Sequence, residues 1–419
     1  MPTERDSTYH SFRSGWNSND EFFKFTRGRF VVEEAENLRR REIKFDLNNL
    51  AQAAADSVGA AQCSSIKKYP NGMFNKSFLM TMVDGQEIVA KVPNPNAGVP
   101  HFTTASEVAT MDFARKVLNA PAPHVHACNS RAKSHPVGAE FIIMDKVEGV
   151  PLSEVWDTTQ LQQKLKVILA MTSLQKEWLT VSFSHYGSLY YAGDVQSLAY
   201  NHYVNEGMAI NDPEFAIGPA TGRDWGFSNA QTDPAKKLTA LAWYQKIVDA
   251  LIPKDTSATS PCFWHDDLHG DNIFVDPHNP ERTTGNIDWR SCHISPLFNH
   301  SPDPAFLDWD GLEPETLDLP ERPTLSKLST EERSAAMREY LVQNVFIGWR
   351  KLMHGKNPDL YQLVGFRKTP ADTPFPFDFS EEDFERIKLD RDGVVAGTEL
   401  VSNIKEKMGG LWPDKGFIE

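Results

Sequence analysis

One segment constrains this chain more than any other: CFWHDDLHGDNIFVD, residues 262–276. Between its apolar, strand-like ends stand two histidines, three aspartates and an asparagine. Polar groups crowd against a hydrophobic run at a cost unless they are paired or hold charge in place. A further acid, Asp288 in GNIDWR, follows Asn272 by sixteen residues, while Asp267 precedes it by five. The intervening IFVD and TTGNI read as two short strands joined by the turn PHNPER, and a hairpin of that length returns Asp288 close to Asn272. One carboxylate and one amide oxygen then suit a hard cation such as Mg²⁺. Asp267, on the loop before the hairpin, is left to accept a proton from an incoming hydroxyl. Taken singly, all three residues are also ordinary turn formers. His265 is expected to hold the loop through a backbone hydrogen bond, and His269 either orients Asp267 or faces a substrate. Trp289 reads as core.

The preceding half of the chain is sheet-rich. After a polar arm, residues 1–45, LNNLAQAAADSVGA predicts a helix closed by Gly59. The runs Phe78–Val83 and Glu87–Val92 flank Asp84-Gly85, a strong hairpin signal. Residues 103–118 predict a helix with Val108, Met111, Ala114 and Leu118 on one face. Phe141–Met144 predicts another strand. Beyond it, Leu161, Leu165, Ile168 and Thr172 mark a long helix through Trp178. Ser329 and Glu332 are spaced as a capping box that opens another helix. The sequence thus divides into an arm (1–45), a small sheet-rich part (46–147) and a larger, mainly helical part (148–419), with a helical insert expected around 195–235.

Composition excludes some partners. With 43 Lys and Arg against 57 Asp and Glu, the formal charge is −14, which disfavours a nucleic-acid partner because phosphate backbones are bound by clustered cations. It suits a cationic small molecule or simply solubility. No apolar run reaches the ~18 residues of a membrane helix, and the start lacks an apolar signal core. A cytoplasmic protein is the expectation, a mitochondrial one the alternative. The four cysteines form no C-x-x-C pair and read as buried, reduced thiols.

A cation site and a proton acceptor are what phosphoryl transfer requires, together with a lysine on the phosphates. The sheet-rich part offers Lys91, in EIVAKVP. The next helix offers Glu107, either as a partner steering Lys91 or as the end of a capping box with Thr104. HDDLHGDN followed by IDW resembles the H-x-D-L-H-x-x-N and I-D-W signature of the aminoglycoside phosphotransferase and choline kinase group, relatives of the protein kinases. The loop NGMFNKSF, the lysine strand, the Glu helix and the hinge-like FIIMDKVEG occur in the same order. GMFNKSF, HFTTASEVATMDFARKVL and GRF more narrowly resemble a fungal subgroup named for altered inheritance of mitochondria.

The resemblance covers about residues 20–365. It implies an α+β, two-lobed protein kinase-like fold with a small antiparallel-sheet lobe and a larger helical lobe. It also implies ATP and Mg²⁺ as cofactors. By position, Asp267 would be the catalytic base and Asn272 and Asp288 the metal ligands. Lys91 with Glu107 would clamp the phosphates, Gly72 and Asn75 would belong to the covering loop, and Asp145 to Val147 would offer backbone groups to adenine. The covering loop keeps Gly72 but has Met73 where a second glycine often sits, so its backbone approaches phosphates less closely. No A-P-E segment follows Asp288, which disfavours a protein substrate. The expected activity is phosphorylation of a hydroxyl on a small, amine-bearing metabolite; the alternative is a catalytically silent scaffold tied to mitochondrial maintenance. The acidic loop with Asp303, Asp308 and Asp310 would either receive a substrate ammonium group or be solvated. The sequence does not fix the oligomeric state.

Overall fold

The computed structural model describes residues 15–25, 29–30, 34–70, 72–195, 201–221, 256–307, 309, 314, 316–326 and 328–362, with isolated positions elsewhere. Residues 1–14 of the arm, 222–235 of the expected insert, and Asp308 and Asp310 lie outside the described residues. The chain divides into two compact units. The smaller holds residues 1–108, 124–146 and 418–419, the larger 109–123 and 147–417.

The smaller unit is built on a five-stranded antiparallel sheet of β1 (Cys63–Lys68), β2 (Asn75–Met82), β3 (Glu87–Pro93), β4 (Val125–Asn129) and β5 (Phe141–Asp145), in the order β1-β2-β3-β5-β4. Strict alternation puts Lys76, Phe78, Met80 and Met82 of β2 on its buried face, where the side-chain period of two makes one face the core. The turn between β2 and β3 is closed as its sequence predicts. Gly85 takes a φ of 90°, and Asp84 Oδ1 accepts the Gln86 N–H at 3.0 Å. Helix α1 (Glu34–Arg41) precedes α2 (Leu47–Ser57), whose first turn is capped by Asp46 accepting the Asn49 N–H at 2.9 Å. Leu47, Leu50, Ala51 and Ala54 of α2 belong to the same buried cluster as Phe78, Met80, Ile88, Ala90, Val92 and Ile143. The arm contributes Phe23, edge-on to Phe45 with centroids 5.2 Å apart. Helix α3 (Phe102–Lys116) follows β3.

The larger unit carries the two expected long helices, α4 (Leu161–Trp178) and α5 (Thr330–Lys356). The Ser329–Glu332 capping box forms, with Ser329 N–H donating to Glu332 Oε2 at 2.7 Å and Glu332 N–H to Ser329 Oγ at 3.3 Å. The unit also holds β6 (Val150–Pro151), β7 (Val181–Phe183), β8 (Ser188–Tyr191), β9 (His202–Asn205), β10 (Met208–Asn211), β11 (Phe215–Gly218), β12 (Pro261–His265), β13 (Ile273–Asp276), β14 (Asn279–Asn286) and β15 (Cys292–Pro296). Among the described residues these form a five-stranded sheet, β10-β9-β7-β12-β15, a three-stranded one, β14-β13-β6, and the pair β11-β8. The segment expected to be helical around 195–235 is therefore corrected: 202–218 is three antiparallel strands. Trp178, Trp264, Trp289 and Trp349 are all buried to 2% exposure or less. Cys63, Cys262 and Cys292 are buried free thiols as expected, but Cys128 is exposed.

Both units agree with the α+β class read from the sequence.

Candidate active site

His265, the last residue of β12, lies opposite Cys292 of β15. Its ring is 1% exposed and meets Trp289 edge-on at 4.9 Å between centroids. Nε2 donates to the Ile287 carbonyl at 3.1 Å, and Nδ1 accepts the Asp267 N–H at 3.3 Å. One donor and one acceptor are what a neutral imidazole offers. Burial holds the His265 pKa below the ordinary imidazole value, against the Ile287 carbonyl and the carboxylates of Asp288, Asp267 and Asp266, which favour the charged form. A neutral ring thus ties the residue expected to be the base to the residue preceding Asp288. The backbone hydrogen bond expected of His265 is present, and it has a second half that the sequence reading did not supply.

The loop after His265 is wound tightly. His269 N–H donates to the Asp267 carbonyl at 3.0 Å, and Asn272 N–H to the His269 carbonyl at 2.9 Å. Asn272 is buried. Its Nδ2 donates to the Asp267 carbonyl at 2.8 Å and lies 3.2 Å from His269 Nε2. These bonds occupy the amide nitrogen and fix the plane of the group, leaving Oδ1 as its acceptor end.

The hairpin then returns the chain as its length requires. Ile273 pairs with Asn286, and the Ile287 N–H donates to the Asn272 carbonyl at 2.9 Å. The turn is tighter than expected, since β14 already begins at Asn279. Asp288 follows immediately with φ 62° and ψ 50°, a left-handed conformation uncommon outside glycine. The fully buried Trp289 holds the chain on its far side, with Nε1 on the Asn286 carbonyl at 2.8 Å. Asn272 and Asp288 therefore leave adjacent positions at one end of one hairpin, supplying an amide oxygen and a carboxylate. Both are hard oxygen donors, and that donor set fits Mg²⁺ better than a softer ion. His269 Nε2 stands 3.8 Å from Asp267 Oδ1, and both side chains are partly exposed.

In the smaller unit, Lys91 Nζ and Glu107 Oε1 form a buried ion pair at 2.6 Å. The competing capping box of Thr104 and Glu107 does not form. The Thr104 hydroxyl donates to Glu140, which also takes the His101 N–H at 2.8 Å, so Glu140 closes the start of α3 and Glu107 is left to the lysine. Gly72 and Asn75 come together: a Cβ on Gly72 would stand 2.8 Å from Asn75 Oδ1. Of the hinge backbone groups, the Asp145 N–H is already donated to the His124 carbonyl at 2.9 Å. The Asp145 carboxylate accepts the His124 N–H at 3.0 Å and pairs with His126 Nε2 at 2.7 Å. The Asp145 N–H and carboxylate thus join the start of β4 to the end of β5. Val147, in the larger unit, packs where a side chain on Gly285 would stand.

Asp303 is not a ligand in waiting. Its carboxylate pairs with Arg350 through both oxygens and accepts the Trp349 Nε1–H at 2.9 Å. Three further features were not anticipated. Lys76 is fully buried and donates to Asn94 Oδ1 at 2.7 Å and to the Arg41 carbonyl at 2.9 Å. Asp266 is flanked by His293 and His300. Asp271 accepts from the Ser153 hydroxyl. Of these, only Lys76 had a usable signal, since its place in the β2 alternation puts it on the core face.

The HDDLHGDN loop and the IDW-bearing hairpin lie in the larger unit, and the strand lysine paired to a helix glutamate in the smaller one. Residues 65–299, more than half the chain, match the model of the phosphotransferase enzyme family, and the chain belongs to that family. A subtelomeric hrmA-associated cluster protein of Aspergillus fumigatus is 27% identical over 65% of this chain and 66% of its own length. A mitochondrial protein of Debaryomyces hansenii, altered inheritance of mitochondria protein 9, is 31% identical over 46% of this chain and 31% of its own length. The chain thus spans only part of the relatives it matches, about two thirds of the first and under a third of the second. A crystal structure from Ralstonia eutropha, assigned to the aminoglycoside phosphotransferases, aligns with 77% of this chain and 86% of its own at a TM-score of 0.43 and 15% identity. Among the described residues no helix is long and apolar enough to cross a membrane.

Proposed function

We propose that the chain is an ATP- and Mg²⁺-dependent phosphotransferase that phosphorylates a hydroxyl group on a small, amine-bearing metabolite. The observation that supports this reading is the backbone pairing of Ile287 with Asn272, which brings Asn272 and Asp288 to the same end of the hairpin, while His265 ties the Asp267 loop to it. Asn272 and Asp288 would hold Mg²⁺. When bound, that ion offsets the charge on the phosphate oxygens, the principal electrostatic demand of phosphoryl transfer. Asp267 takes the proton from the acceptor hydroxyl as that oxygen attacks. The neutral His265 keeps the Asp267 N–H engaged, so the loop does not move when the carboxylate becomes protonated. Lys91, aimed by Glu107, binds phosphate oxygens, and Gly72 with Asn75 forms the loop over them. The acidic balance of the chain suits a cationic acceptor.

The test is ATP turnover by the purified full chain across a panel of hydroxylated amines, with and without Mg²⁺. Turnover should require the ion and one class of acceptor, and Asp267→Asn should lower kcat by roughly 10²–10⁴-fold with nucleotide affinity unchanged. Equal turnover in Asp267→Asn would remove the base assignment. Nucleotide binding with no turnover on any acceptor would favour the alternative, a catalytically silent scaffold tied to mitochondrial maintenance.

A further inference from the structure

Beside the proposed base lies a second cluster of ligating groups that the phosphotransferase reading does not use. Asp266 directly follows β12, His293 lies on β15 opposite Trp264, and His300 follows β15 by four residues. Asp266 Oδ1 stands 2.8 Å from His300 Nδ1, and Asp266 Oδ2 stands 3.1 Å from His293 Nδ1. The three ligand atoms all lie within 4.8 Å of one another. We propose that Asp266, His293 and His300 form a binding site for a divalent transition-metal ion, with Zn²⁺ as the natural occupant and water completing its coordination.

The chemistry of the donors selects the ion. Two imidazoles and one carboxylate suit zinc and its neighbours, whereas Mg²⁺ and Ca²⁺ prefer all-oxygen shells. Zn–N and Zn–O distances near 2.0–2.2 Å put the donor atoms of a tetrahedral site about 3.3 Å apart. The two observed separations, each to a different oxygen of Asp266, are slightly shorter than that. Small side-chain rotations therefore suffice to admit the ion.

The site is also built, which separates it from a chance meeting of surface side chains. The His300 ring is wholly buried and stacks on Trp264 with centroids 5.7 Å apart. Its outer nitrogen, Nε2, lies 2.9 Å from the Ser295 hydroxyl. Metal-bound histidines characteristically use the second ring nitrogen in this way, which fixes the tautomer and aims the ligating nitrogen. His293 and Asp266 are about a fifth and a quarter exposed, so solvent reaches the open side. Sheet pairing between β12 and β15 sets the spacing of the three residues before any ion arrives. Since Asp266 stands between His265 and Asp267, an ion there would hold the base-bearing loop to β15.

The experiment is equilibrium Zn²⁺ binding to the chelator-treated full chain, read as bound zinc per chain and as the visible absorption of a Co²⁺ replacement. Wild type should bind one equivalent tightly, and Asp288→Asn should retain it, because that variant disables only the proposed Mg²⁺ position. His293→Ala and Asp266→Asn should each weaken binding at least a hundredfold. The double variant His124→Ala/His126→Ala, which dismantles the cluster around Asp145, should bind as wild type does. Circular dichroism of the zinc-free variants establishes that they are folded; if His293→Ala fails to fold, Asp266→Asn carries the comparison. Absence of tight zinc in wild type, its retention in both site variants, or its loss in the His124/His126 pair overturns the assignment. None of these readouts depends on phosphoryl transfer.

Discussion

At the scale of single residues, the Lys91–Glu107 pair is the clearest case of a charge arrangement that packing alone would not select. Both side chains are at most 7% exposed. Two desolvated charges offset each other only while both are present, and removing one leaves the other buried without compensation. Lys91→Met should therefore destabilise the smaller unit by about 3–5 kcal/mol, whereas Lys91→Met/Glu107→Leu, which removes both charges at similar volume, should recover most of that loss. Both variants should lose nucleotide binding. Urea unfolding followed by circular dichroism measures the first effect; costs that simply add in the double variant would show that the two residues do not act as a pair. The sequence supplied both residues but not their partnership. Thr104 at the i−3 position made a capping box equally reasonable, and only Glu140, far along the chain, decides between them by taking the Thr104 hydroxyl. Long-range competition of this kind leaves no local pattern. The same holds for Asp303, which reads as a solvated acid until Arg350 meets it from α5.

At the scale of elements, hairpins whose turns carry strong local signals were legible and those without them were not. Asp84-Gly85 marks its turn because Asp is at home in turns and Gly accepts positive φ. The β9–β10 turn is built on Glu206-Gly207, with φ 48° and 78°. Glutamate is an unusual residue at positive φ, so this hairpin passed as part of a helical insert. The hairpin of β13 and β14 was legible from the two short strand-like runs IFVD and TTGNI on either side of a polar turn, although that turn proved shorter than the stretch PHNPER suggested. Its docking onto β6 rests on a glycine: Gly149 has φ 94°, and a Cβ there would press into the Val275 carbonyl. Gly207 has a comparable φ but open space around it. Gly149→Ala should thus cost the left-handed strain plus a backbone displacement, roughly 2–4 kcal/mol, and Gly207→Ala the strain alone, about 1 kcal/mol. Denaturation followed by tryptophan fluorescence compares them, and equal costs would mean that β6 does not need the close approach.

At the scale of the whole molecule, each unit has its own buried core, so the two need not unfold in one step. Of the ten tryptophans only Trp16 falls in the smaller unit, and fluorescence accordingly reports the larger one. The smaller unit carries a distinct pH signature through Lys76, whose pKa burial lowers to about 8. Below that value the lysine is charged in both folded and unfolded chains, and folding bears the full desolvation cost. Between about 8 and the ordinary lysine value near 10.4 the unfolded chain binds the proton and the folded chain does not. Stability then rises with pH by up to about 1.4 kcal/mol per unit. Lys76→Met lacks this dependence. Raising the pH from 7.5 to 9.5 should therefore stabilise wild type relative to Lys76→Met by about 2 kcal/mol in the smaller unit. The fluorescence transition of the larger unit should leave the two proteins alike at both pH values. Hydrogen exchange in residues 75–93, corrected for intrinsic rates, measures the first quantity. A gap between the two proteins that stays constant with pH would mean that Lys76 keeps its proton in the folded chain, sustained by the Asn94 and Arg41 oxygens that receive its hydrogen bonds.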